Sequence, residues 1–302
     1  MLEDAVSLES RRTNYRNGFY ACLRYHHGLT HAGFRYERGV RLGDEHVKRD
    51  LPIINKDSDA QLLDPIGGFS RYCNPVEYRS PLDSLSIDDF YAAQGYALIF
   101  KGYKRLVNQL HIEDMTLTLA CIDHPKAMVD TLVRSGAKVT EAHPGIYRIE
   151  GKISVNTQLV IIPHLQKGVY EGLGLLVTGA SKLELEGYME QAAGTHDAYL
   201  IDNARAVVSA CLLANPDLAV ALSEEENVDD VVRRTFRRQF SDAEAIAEAR
   251  GCARGEAKHA RATVERTLRA NYDVAEIMYL SGVTYDQVAD VALAVGIELP
   301  RT

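Results

Sequence analysis

Glu77 and Arg79 stand one residue apart in the stretch PVEYRS, an otherwise apolar run that reads as a β-strand. Side chains alternate across a strand, so Glu77 and Arg79 share one face while Val76 and Tyr78 take the other. Asp50 lies in HVKRDLPIIN, which reads as the preceding strand. If the two strands pair in register, the carboxylates of Asp50 and Glu77 converge. Two carboxylates at one place repel unless a cation neutralises them. Hard oxygen ligands of this kind suit Mg²⁺ or Mn²⁺, and a metal held there can activate water and stabilise charge developing on a phosphate under attack. Arg79 would add fork-shaped donors to the same oxyanion or water. Gln94 falls at helical spacing with Tyr91, Leu98 and Lys101, where its carboxamide could orient water or phosphate. The competing reading of Glu77 and Arg79 is a surface salt bridge on an edge strand.

Positioning these residues requires a particular series of elements. Tyr15, Phe19, Cys22, Leu23 and His26 recur at helical spacing over Asn14–His27, with Gly28 as a stop. AGFRYERGVRL alternates as a strand, and HVKRDLPIIN follows after the turn at Gly43–Asp44; Pro52 suits an edge position or a bulge. Residues 56–72 form a polar connection, and PVEYRS is the third strand. Ser86 fits a helix N-cap, with Asp88 and Asp89 in the favourable first turn of a helix running to about Leu110. MTLTLACI is a fourth strand, followed by a helix over 125–135 and short strand-like pieces at 138–139, 146–149 and 159–163. The order is α-β-β-β-α-β with additions. Beyond Gly168 the character turns helical, over 183–193, 198–214 and 227–250, with a final segment capped by Thr284. The chain therefore divides into a core at 1–167 and a helical C-terminal region at 168–302.

Composition limits the alternatives. The chain has 302 residues, 46% hydrophobic and 25% charged, which suits a globular protein. No apolar run approaches the roughly 18 residues of a membrane helix, and the N-terminus carries charges where a secretory signal is apolar. A cytoplasmic location is expected. The five cysteines are scattered and form no C-x-x-C pair, so they read as buried free thiols. The net charge is −8, with 15 Lys and Arg against 14 Asp and Glu in residues 1–110, and 19 against 28 in residues 111–302. An acidic chain is a poor generic binder of nucleic acid, so such contacts need a local basic patch.

Three other motifs carry less chemistry. LLVTGASK at 175–182 imitates a dinucleotide-binding turn, but Leu183, Glu184 and Leu185 stand where further glycines belong; no nucleotide cofactor is expected. The histidines lack ligand spacing, and His26 on an apolar face reads as a hydrogen-bonded core residue. Arg233, Arg234, Arg237 and Arg238 make two i,i+4 pairs, either a phosphate patch or a solvated face paired with nearby acids.

The series Asp50…Glu77-x-Arg79…Gln94 on an α-β-β-β-α-β order resembles the PD-(D/E)xK nuclease superfamily, the restriction-endonuclease-like fold. VEYRSPLDSLSIDDFY and QGYALIFKGY look similar to uncharacterised bacterial proteins of that superfamily related to recombination-promoting nucleases and putative transposases. The resemblance covers roughly residues 10–165. It implies an α/β (α+β) restriction-endonuclease-like core with a helical C-terminal region, and a DNA endonuclease dependent on Mg²⁺ or Mn²⁺. Asp50 and Glu77 match the metal-binding acids, with Asp64 a rival for the first. Arg79 takes the place of the catalytic lysine, and Gln94 matches a helix glutamine.

Two departures matter. Arg79 cannot deprotonate water at neutral pH, and the first helix offers His26 or His27 where an acid is often found. The implied partner is DNA, with no membrane; the sequence leaves a homo-oligomer open. The rival functions are a catalytically weakened or inactive nuclease-fold protein acting as an interaction or regulatory module, and a DNA-binding protein working through residues 283–299. That last segment lacks basic residues.

Overall fold

The structure, a computed structural model, describes residues 8–30, 34–41, 50–56, 64–103, 110–225, 228–297 and 299, with 34–41 and 50–56 described through their backbone. The elements in order are α1 (Leu8–Thr30), β1 (Phe34–Arg41), β2 (Asp50–Lys56), β3 (Cys73–Tyr78), α2 (Ile87–Tyr103), β4 (Leu117–Cys121), α3 (Lys126–Arg134), β5 (Ala137–His143), β6 (Ile146–Gly151) and β7 (Thr157–Ile161). The helices that follow are α4 (Glu171–Gly174), α5 (Lys182–Ala193), α6 (Ala198–Ala214), α7 (Pro216–Ser223), α8 (Asp230–Thr235), α9 (Arg237–Arg269), α10 (Val274–Ser281) and α11 (Tyr285–Val295). The protein is thus mixed α/β.

Seven strands form one mixed sheet in the order β1-β2-β3-β4-β7-β6-β5. β1, β2 and β3 pair antiparallel, β4 runs parallel to β3, and β7 runs parallel to β4. The short pieces expected at 138–139 and 146–149 are the two arms of a hairpin, β5 and β6. Its turn needs Gly145, at φ +72°, because a Cβ there would meet the His164 carbonyl carbon at 2.7 Å.

Period-two alternation gives the sheet two buried faces. Val76, Thr118 and Gln158 lie in register across β3, β4 and β7, and on this side Phe19 of α1 stacks on Tyr78 with ring centroids 4.4 Å apart. On the other side Cys73, Leu117, Leu119, Leu159 and Ile161 pack with Phe90, Ala93, Ala97 and Phe100 of α2 and Met128 and Leu132 of α3. Those α2 residues recur at i, i+3, i+7 and i+10, the spacing of a single buried stripe.

The chain separates into two compact units, Val6–Ala243 and one formed around Glu244–Thr302. The expected boundary at 167/168 does not coincide with this division. Residues 168–243 belong to the larger unit because α6 packs lengthwise against α1, where Gly18 allows an approach so close that an added Cβ would lie 2.4 Å from Ala210 Cβ. The helix expected over 227–250 is broken at the buried Phe236 into α8 and α9. In the second unit Val264, Leu268, Ile277, Val288, Val291 and Ala292 make a small core, and Thr284 caps α11 through a capping box with Gln287.

Among the described residues no single helix is long and apolar enough to cross a membrane. Four of the cysteines are buried free thiols as expected, and burial pushes those of Cys121 and Cys211 up to about 12. Cys252 is exposed, contrary to that expectation, because its stretch of α9 is solvated throughout.

Candidate functional site

β3 carries Glu77, and Arg79 directly follows its last residue, two positions on from Glu77, so that both reach the α2 side of the sheet as the alternation requires. Glu77 is buried, with 6% of its surface exposed. The Arg79 guanidinium lies 3.5 Å from Glu77 Oε1 and donates from its Nη2 to Asp89 Oδ1 at 2.5 Å. One cation is therefore held between two carboxylates, one from β3 and one from the first turn of α2. The Arg79 backbone is fixed as well, its N–H donating to the Ala120 carbonyl at 2.8 Å.

Asp89 has two tasks. Its Oδ2 accepts from Ser86 N at 3.0 Å and from Ser86 Oγ at 2.6 Å, while Asp89 N donates to Ser86 Oγ at 3.1 Å. This reciprocal cap starts α2 where the sequence placed its N-cap. The same carboxylate then turns its other oxygen to Arg79. The loop between β3 and α2 is tied down further by Ser80 Oγ donating to Asp83 Oδ2 at 2.8 Å and by the Arg12–Asp83 ion pair at 2.7 Å.

Gln94 is not grouped with these charges. Its side chain is 5% exposed and reaches the connection between β6 and β7. Its Nε2 donates to Val155 O at 2.9 Å and to Thr157 Oγ1 at 2.7 Å, and its Oε1 accepts from Val155 N at 2.8 Å. The helical face expected to hold it with Tyr91 and Leu98 is the solvent edge, where those residues are 53% and 41% exposed. Gln94 belongs instead beside the buried stripe, and it closes a loop.

The side chain of Asp50 lies outside the described residues. Its backbone is on β2, paired with Arg41 of β1. The recorded pairs between β2 and β3 are Ile53↔Pro75, Ile54↔Asn74 and Asn55↔Cys73. Counting on in that register brings Leu51 across from Glu77 and Asp50 across from Tyr78, one place out of step. Among the described residues no three His, Cys, Asp or Glu side chains converge as a metal-ligand group. Glu77 and Asp89 face a guanidinium, so the described side chains do not fit a divalent ion at this place.

Asp64, the rival acid, is on the other side of the sheet in a buried network. Its Oδ1 accepts from the Tyr170 hydroxyl and from Gly67 N at 2.8 Å, and its Oδ2 lies 3.6 Å from His27 Nε2. Burial pushes the Asp64 carboxyl up, but the His27 ring, the Tyr170 hydroxyl and the Gly67 N–H outweigh it and hold the group well below the usual carboxylate range. Tyr170 Oη also accepts from Ile66 N at 2.8 Å, and Gln158 Nε2 donates to Ile66 O at 2.9 Å and to Thr118 Oγ1 at 2.8 Å. Asn74 continues the row, donating to Thr118 Oγ1 at 3.0 Å and accepting from Thr116 Oγ1 at 3.0 Å.

Sequence reasoning missed this row. The alternating Thr116 and Thr118 in MTLTLACI were its one visible signal, and the strand register that unites them with Asn74 and Gln158 is a long-range property. Asn74, Thr116, Thr118 and Gln158 are all buried, so the row holds the loop at 64–68 to the sheet and, through His27, to α1.

LLVTGASK has a structural task too. It connects α4 to α5, with Ser181 and Glu184 forming a capping box and Gly179 N donating to Asn215 Oδ1 at 2.7 Å. Comparison with protein-family models, with curated proteins and with solved structures finds no match for this chain.

Proposed function

We propose that this chain is a restriction-endonuclease-like protein that engages DNA without cutting it, an interaction module in which Arg79 is ion-paired with Glu77 and Asp89. The restriction-endonuclease-like assignment is supported by the run α1-β1-β2-β3-α2-β4, with three antiparallel strands and a fourth parallel to the third. DNA as the partner is supported by the same likeness.

The observation that carries the non-cutting reading is the placement of the Arg79 guanidinium against Glu77 at 3.5 Å and Asp89 at 2.5 Å. Arginine stays charged at every accessible pH and presents rigid donors. It gives these two acids one of the two positive charges that a divalent ion would otherwise supply, and a divalent ion arriving beside it would meet like-charge repulsion. Neither of the groups proposed to handle water is available: Arg79 is no base, and both ends of the Gln94 carboxamide are bonded to Val155 and Thr157.

The cutting reading keeps one observation in its favour, a buried carboxylate, Glu77, on the strand adjoining the one that carries Asp50. Supercoiled plasmid incubated with the full chain and Mn²⁺ separates the two. The expected result is intact plasmid with the native chain. Nicking that disappears in Glu77→Gln would overturn the proposal and establish metal-dependent hydrolysis.

A further inference from the structure

We propose that the cleft bounded by α1, α6 and the α8–α9 bend binds the phosphodiester backbone of a single-stranded nucleic acid. The cleft has a volume of about 920 Å³ and lies within the larger unit; apart from Asn14 and Asn17 of α1, its lining comes from residues 202–242, beyond the stretch that resembles a nuclease core. The choice of nucleic acid rests on the reading above, while the site itself rests on its lining.

Four guanidiniums line the cleft: Arg205 from α6, Arg234 from α8, and Arg237 and Arg238 from the first turn of α9, which holds no acid. Arg233, the other member of the arginine run, turns away; its guanidinium sits 5.0 Å over the Phe240 ring and donates to Glu225 O at 2.8 Å. Arg205 is held in place, its Nε donating to Thr235 O at 2.8 Å and its Nη1 to Asp202 Oδ1 at 2.9 Å. Arg238 has a loose pair, 3.9 Å from Asp242. Among the described residues Arg234 and Arg237 have no carboxylate within ion-pair reach.

The lining thus sets four cations against two acids, Asp202 and Asp242, in a chain whose net charge is −8. Gathering like charges around an open cleft costs stability through self-repulsion, unless an anion joins them. Planar guanidinium forks suit phosphate oxygens in particular.

A second observation points past a simple anion. Gln239 lines the same cleft and is 4% exposed; its Nε2 donates to Ser209 Oγ at 3.1 Å. Its Oε1 is buried and has no hydrogen-bond partner among the described residues. A buried acceptor costs free energy until a donor reaches it. A fully ionised phosphate brings no donor, whereas a nucleotide strand brings base N–H groups alongside its phosphates. Asn14 and Asn17 of α1 add neutral donors to the lining.

The test uses the full chain, a short fluorescently labelled single-stranded oligonucleotide and anisotropy over a range of salt concentrations. Arg234 and Arg237 are exposed, so the double variant Arg234→Ala/Arg237→Ala leaves the core intact. It should weaken binding about tenfold or more and reduce the log–log salt slope by about 1.4, at roughly 0.7 per phosphate contact on a single strand. Lys126→Ala/Lys138→Ala, an exposed pair outside the cleft with the same change of charge, should leave the affinity within about twofold.

Equal weakening by both pairs would overturn the proposal in favour of diffuse charge. Competition by inorganic phosphate or by polyglutamate as effective as that by unlabelled oligonucleotide would overturn it in favour of a general anion site. Native binding indifferent to the arginine pair, or binding of a labelled duplex but not of the single strand, sinks this site and spares the reading of the protein as DNA-engaging; native binding to neither strand nor duplex sinks both.

Discussion

Removing the Gln94 carboxamide should destabilise the protein. In Gln94→Ala the buried Val155 N–H loses the acceptor it holds at 2.8 Å, while Val155 O keeps Thr157 Oγ1 at 2.9 Å. One orphaned buried donor costs about 1–3 kcal/mol, and truncation of a side chain that is 5% exposed adds a cavity term. A total of about 3 kcal/mol lowers Tm by roughly 6–12 °C in a unit of this size. The chain has no tryptophan, so far-UV circular dichroism is the suitable probe.

Gln94→Glu sharpens the argument. One carboxylate oxygen can still accept from Val155 N, but the other meets the Val155 carbonyl at the place where an N–H now donates. Burial and that carbonyl both disfavour the charged form, so the introduced carboxyl's folded-state pKa rises above its unfolded value. Below about pH 4 both states are protonated and the variant should approach native stability. The loss should grow as pH rises through the unfolded value, then level off above the folded one. Native-like melting of Gln94→Ala, or a Gln94→Glu deficit that ignores pH, would refute the clamp and reopen a role in catalysis.

Two other perturbations test the packing and the buried network. Asp64→Asn should cost about 1–2 kcal/mol at pH 7; because the native carboxyl is held low, its contribution is present above the unfolded value near 4 and lost as pH falls toward the folded one, so urea midpoints of native and variant should converge in acid. Gly18→Ala and Gly95→Ala should move stability in opposite directions. A Cβ at Gly18 would lie 2.4 Å from Ala210 Cβ and force α1 from α6 at a cost of about 1–3 kcal/mol, whereas one at Gly95 meets nothing within 4 Å and should gain up to about 1 kcal/mol from helix propensity. Equal melting temperatures for the two variants would contradict the close α1–α6 packing.

Local rules made part of this structure legible in the sequence. Ser86 and Thr284 were readable as caps because a cap is settled within four residues, and both close as expected. The alternation that put Glu77 and Arg79 on one face holds for the same reason. The six-element run from α1 to β4 followed from periodicity and turn residues alone.

What the sequence did not reveal is partnership. Asp89 was readable as an acid favouring the start of α2, yet its contact with Arg79 depends on how the helix docks on the sheet. Gln94 sits where two helical stripes meet, and spacing fits it as well to Tyr91 and Leu98 as to Phe90 and Ala97; only the sheet beneath α2 decides which is buried. His27 finds Asp64 across 37 positions of chain, a distance no motif spans.

The role of an acid is set by the cation or donor that reaches it, and that is decided by register and docking. Asp50, Asp64 and Glu77 are three carboxyls of one chemical type, and only the last two have described surroundings. Asp64 is held in its ionised form by His27, Tyr170 and the Gly67 N–H in a buried network, and Glu77 faces a fixed guanidinium. The sequence spacing that suggests a metal pair is compatible with both arrangements, because a shift of one residue between β2 and β3 changes which side chains meet.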